Sequence, residues 1–163
     1  MSQWEGSDAA DPMDAALEAA LAASRSLFGM LTTTMSEHGS DFTIPQYRAL
    51  AFLAYRGPQR VGDLVKELGV SPATASRLGR KLETSGLAER RPDPDDARAV
   101  FLVLSPKGRD LVLRVLGRRR AAFAIIFQGM SDDDLRTLTH VFRKFAEIAG
   151  EPVIPWFATW DDG

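Results

Sequence analysis

The sequence predicts a mostly helical α+β fold, and three observations carry that reading. Apolar residues recur at spacings of three and four through several long stretches, which is the period of an amphipathic helix. Two shorter helical segments, about 62–68 and 71–85, are separated by Gly69. Two short runs, Leu87 to Arg91 and Ala99 to Leu104, then flank a polar loop and read as a pair of strands.

Asp11 suits an N-cap, Pro12 the first turn, and Asp14 the positive end of a helix dipole. Met13, Leu17, Leu21, Phe28, Leu31 and Met35 form one apolar stripe on a long helix ending near Gly39. Thr43 and Gln46 have the capping-box spacing and open a second helix, with Tyr47, Leu50, Ala51 and Ala54 inward and Gly57-Pro58 as its stop. Leu64, Val65 and Leu68 face inward on the next, short helix. Ser71-Pro72 starts the following one, which Gly86 closes. Pro92 to Arg98 is rich in turn formers. Ser105-Pro106 starts a long helix, and Ser131-Asp132-Asp133-Asp134 starts the last, stopped at Gly150. The remaining tail carries Trp156, Phe157 and Trp160.

Composition closes off several functions. At 163 residues, 45% hydrophobic and 26% charged, the chain has the make-up of an ordinary globular domain. It has no cysteine, which excludes disulfides, thiolate zinc sites and thiol redox sensing. His38 and His140 lie on different helices, and three carboxylates at a helix start favour its dipole, so neither a metal nor a cofactor is expected. No phosphate loop, nucleophile elbow or His beside a plausible nucleophile is present, and an enzyme is not expected. No apolar run approaches a membrane span, and the polar, acidic N-terminus does not read as a signal peptide. The expectation is a cytoplasmic protein with no membrane partner.

The charge distribution is more informative than the net −2. Glu5, Asp8, Asp11, Asp14, Glu18, Glu37 and Asp41 face Arg25 alone over residues 1–41. Residues 71–91 hold Arg77, Arg80, Lys81, Arg90 and Arg91 against Glu83 and Glu89. Any nucleic-acid contact should therefore be local, held by one basic patch while acidic surface elsewhere faces solvent. Leu64, Leu68, Val70, Ala75 and Leu78 fit the crossing of a helix-turn-helix with Gly69 at its turn. At about 100° per residue, Ala75, Leu78 and Leu82 fall on one side of the second helix, with Ala73, Arg77, Arg80 and Thr84 opposite. A small, hydroxylated, basic face suits a major groove, and equally suits a solvated surface. The hairpin after it tips the reading towards a wing. Arg98, oriented by Asp95 or Asp96, has the chemistry to enter a minor groove, although an ion pair within a turn explains the same residues.

Ser71-Pro72-Ala73-Thr74-Ala75-Ser76-Arg77-Leu78, Asp96-Ala97-Arg98 and Leu104-Ser105-Pro106-Lys107-Gly108 closely resemble the MarR family of bacterial regulators. The order of elements agrees from about Asp11 to Gly150. The resemblance implies a homodimer binding double-stranded DNA at a pseudo-palindromic operator, most simply as a repressor. The expected division is an acidic N-terminus at 1–10, a dimerisation helix at 11–38 and a winged helix-turn-helix unit at 43–104. Dimerisation helices at 105–149 and an aromatic tail at 150–163 follow. Ala73, Ser76, Arg77 and Arg80 are expected in the major groove, Ser71, Thr74 and Lys81 on phosphates, and Arg98 in the minor groove. The resemblance also implies a small aromatic or lipophilic effector. His38, Tyr47, Arg48 and Phe52 fall where its pocket is expected, while core packing and surface ion pairing account for the same four residues. A winged helix kept for protein–protein contact, without DNA, is the alternative.

Overall fold

The structure, a computed structural model, describes residues 11–36, 42–93 and 100–151. Helix α1 spans Pro12–Ser36 and α2 Ile44–Arg56. A two-residue strand β1, Gln59–Arg60, leads into α3, Val61–Leu68. Then come α4 Pro72–Thr84, β2 Ala88–Pro92, β3 Val100–Leu104, α5 Pro106–Phe127 and α6 Asp132–Ile148. The three strands form one antiparallel sheet in the order β1-β3-β2. Ala88 pairs with Leu104 and Arg91 with Phe101, while Gln59 pairs with Leu102.

Nothing in the sequence marks β1. Two residues between Gly57-Pro58 and a helix leave no alternation to detect, and β1 exists because β3 offers it a free edge.

Helix α2 is the centre of the core. Expected to bury one face, it buries Gln46, Tyr47 and the whole run Ala49 to Leu53, because α3, α4, α5 and β3 all pack against it. Leu64 of α3, Leu82 of α4, Leu102 of β3 and Val112 and Val115 of α5 complete the interior. At its start, the Gln46 Oε1 accepts from Thr43 N–H at 2.8 Å and from the Thr43 hydroxyl at 2.9 Å.

The periphery differs. Met13, Leu17, Leu21 and Phe28 of α1 are exposed, as are Ile125 and Ile126 of α5. No residue of α6 is buried, and Phe142, Phe145 and Ile148 face outward. The aspartates at its start serve the helix. Ser131 N–H and Oγ–H both donate to Asp134 and hold its carboxyl below the usual range, while Arg136 pairs with Asp133 at 2.8 Å. Among the described residues no cluster of three or more His, Cys, Asp or Glu has metal-binding geometry. None of their helices is long and apolar enough to cross a membrane.

Candidate nucleic-acid interface

The turn between α3 and α4 is built on Gly69, at φ 65° and ψ 33°. This left-handed conformation suits glycine. Its N–H donates to Val65 O at 3.1 Å, which ends α3 and turns the chain. Ser71 caps α4, its Oγ accepting from Thr74 N–H at 3.2 Å, and Pro72 occupies the first turn.

Helix α4 divides as its sequence predicts. Ala75, Leu78, Gly79 and Leu82 are buried, and Ala75 has no exposed surface at the crossing with α3. Ser71, Ala73, Arg77, Arg80, Lys81 and Thr84 are exposed, with Thr74 and Ser76 half-buried beside them. Arg77 Nη2 donates to Thr74 Oγ1 at 3.4 Å, a long contact that leaves most of the guanidinium's donors to solvent. The result is one continuous outward face of small, hydroxyl and cationic side chains.

Strand β2 extends this basic surface. Residues Glu89 to Pro92 are exposed along it, Arg90 pairs with Glu83 of α4 at 2.9 Å, and Arg91 pairs with Glu89 at 3.3 Å. Arg60 is a residue that sequence reasoning missed. It caps α3, where its N–H donates to Asp63 at 3.0 Å. Its guanidinium forms an ion pair with Asp93 and lies 5.7 Å from the centre of the Phe101 ring. The Asp93 carboxylate is 3% exposed. The base of the wing is therefore tied to the start of α3. The two partners are 33 positions apart, and no local pattern connects them. Arg98, Asp95 and Asp96, expected at the wing tip, lie outside the described residues, as does His38.

The remaining residues expected at an effector pocket do not converge. Tyr47 is core, and its hydroxyl accepts from Arg119 of α5 at 3.4 Å. Arg48 is exposed and donates to Glu67 O at 3.1 Å, at the end of α3. Phe52 is buried in the core, its edge lining shallow grooves beside Arg56, Lys66 and Glu67.

Known proteins share this arrangement. The profile of the MarR family matches residues 40–99. The chain is 29% identical over 108 residues to the HTH-type transcriptional regulator YkoM of Bacillus subtilis (strain 168), covering 66% of this chain and 69% of YkoM. It is 25% identical over 107 residues to the HTH-type transcriptional repressor MdtR of the same organism, covering 66% and 69%. The solved structure of RV1404 from Mycobacterium tuberculosis superposes with a TM-score of 0.80 at 31% identity, over 90% of this chain and 100% of that one.

Proposed function

The chain belongs to the MarR family of DNA-binding transcription regulators and is not an enzyme, and on that premise we propose a homodimeric, ligand-responsive repressor of a pseudo-palindromic operator. The observation that carries the reading is the division of α4. A face of Ser71, Ala73, Arg77, Arg80 and Lys81 is exposed while its reverse is sealed in the core. Ala73, Ser76, Arg77 and Arg80 meet base edges, and Ser71, Thr74 and Lys81 hold phosphates. Arg98, with Asp95 and Asp96 to orient it, extends the contact into a minor groove.

Residues 43–104 form the DNA-binding unit. The regions 11–38 and 105–149 dimerise, a reading supported by the apolar faces that α1, α5 and α6 leave exposed. Repression is supported by the similarity to MdtR, named as a repressor. The effector is a small aromatic or lipophilic molecule bound reversibly, since no cysteine exists for covalent sensing. The place of action is the cytoplasm, where the DNA is.

Selection of bound sequences from random duplex DNA, with light scattering on the same preparation, tests the proposal. The expected result is a dimer selecting inverted half-sites roughly 10 bp apart, with affinity falling steeply as salt rises. A monomer, or binding without sequence preference, overturns it.

A further inference from the structure

A groove of about 540 Å3 lies between the second half of α5 and α6. Leu116, Phe123 and Phe127 of α5 and Phe142 of α6 give it apolar walls, and Arg119 and Arg120 line the same space. The Phe123 and Phe127 rings stand 5.6 Å apart at 34°, a spacing at which aromatic rings attract one another. Among the described residues no carboxylate lines the groove. Arg119 donates to the Tyr47 hydroxyl at 3.4 Å, a long contact that leaves most of its donors for another acceptor.

The composition of residues 152–163, which lie outside the described residues, is the counterpart of this groove. Trp156, Phe157 and Trp160 are three aromatics among twelve residues, in a chain that is 9% aromatic, and Asp161 and Asp162 follow them. Segments that stay solvated are poor in aromatics, whereas this one carries an apolar load with an acidic end.

Position supplies an independent argument. Helix α6 ends in a turn at Gly150, φ 74°. Gly150 N–H donates to Glu147 O at 3.1 Å and Glu151 N–H to Ala146 O at 2.8 Å, a closure that takes the chain off the helix axis. Phe142 is nine positions back from Glu151, about 13.5 Å at the helical rise. Five extended residues span up to about 17 Å, so Trp156 is the first aromatic of the tail able to reach the level of Phe142. Asp161 and Asp162, five and six residues further on, can then reach Arg119 and Arg120.

We infer that the tail folds back into the α5–α6 groove of its own chain. Trp156 and Phe157 meet Phe123, Phe127 and Phe142, and Asp161 and Asp162 meet Arg119 and Arg120. Phe145 and Ile148 do not line the groove and stay available to the second copy proposed above. The inference makes no use of the DNA-binding reading, and the two fail separately.

The test is tryptophan fluorescence of the full chain carrying Trp4→Phe, which leaves Trp156 and Trp160 as its indoles. Their emission is expected to lie to the blue of the same protein in urea, with acrylamide quenching several-fold weaker than for a free tryptophan amide. Ala124→Glu, at an exposed position in the groove lining, is expected to redden the emission and restore quenching. Ile125→Glu, one position on and 72% exposed outside the lining, is expected to change neither. Asp161→Asn with Asp162→Asn is expected to raise quenching, more at low salt than at high salt. Tail indoles as accessible as the free amide overturn the inference, as does an equal response to the two glutamates. Emission that reddens on dilution assigns the groove to the tail of a second copy and overturns the intramolecular seat. No response to the two asparagines overturns the charge pairing.

Discussion

The carbonyl oxygen of Leu87 lies 2.0 Å from the position a Cβ on Gly108 would take, and the Leu104 side chain lies 2.9 Å from it. Ser105 locks the same junction. Its hydroxyl donates to Gly86 O at 2.7 Å and its N–H to Leu87 O at 3.2 Å, while its Oγ accepts from Gly108 N–H at 3.0 Å. The spacing of Leu104, Ser105 and Gly108 is thus the sequence trace of a clamp between the α4–β2 corner and the start of α5.

Gly108→Ala is expected to destabilise the fold by about 1–3 kcal/mol or more, because the obstructing atom is backbone and the corner must shift. Gly62→Ala is the control. Nothing lies within 4 Å of its added methyl, and the helix gains up to about 1 kcal/mol. Urea midpoints at constant slope measure both. Equal midpoints for Gly108→Ala and wild type contradict the clamp.

Arg77→Ala is expected to cost about 1–3 kcal/mol of specific DNA affinity if the guanidinium reads a base edge. The melting temperature stays put, since the side chain is exposed and its hydrogen bond to Thr74 is long. Parallel titrations of operator and scrambled duplex decide whether specificity or general affinity was lost.

Arg60→Ala removes the partner of a buried carboxylate. The pair lies between a fully exposed one and a fully buried one, so the expected cost is about 1–3 kcal/mol. A double-mutant cycle with Asp93→Ala is expected to return a coupling energy clearly above zero. Zero coupling means that the wing base is held by other contacts.

Phe145→Asp is expected to shift the proposed homodimer to monomer in light scattering, because Phe145 is 67% exposed on a helix with no buried residue. A dimer that survives Phe145→Asp and Phe142→Asp together is assembled through some other face.

The Tyr55 phenol is pushed up to about 12, first by burial, then by repulsion from Tyr47, Glu151 and Glu67, with Arg119 opposing. A folded-state value above that of the unfolded chain favours the protonated form in the fold. The associated stability is complete below about pH 10 and is lost as pH rises from there towards 12. Tyr55→Phe is expected to flatten the alkaline limb of stability against pH, and an unchanged limb assigns that loss to another group.

Legibility followed the range of the interactions. The α4 face was readable because helix period and side-chain chemistry coincide over thirteen residues. Ser71, Thr43 and Gly69 were readable because capping and turning are local. Arg60 with Asp93 was not, since a lone arginine and a lone aspartate carry no sign of meeting across 33 positions. Tyr47 and Arg48 are adjacent in sequence, yet a helix turns neighbours about 100° apart. One went to the core and the other to the end of α3.

Helix α6 has an ordered first turn and no interior of its own. If a second copy supplies that interior, the molecule is completed by encounter, and the amount of chain made becomes a variable of its shape. While the chain is mostly single, operator occupancy climbs with the square of the copy number. Under the proposed repression, the regulated gene then stays open through the early stages of synthesis and closes over a narrow rise in dosage. Diluting the purified protein should lower its melting temperature in step, a dependence that a self-sufficient monomer lacks.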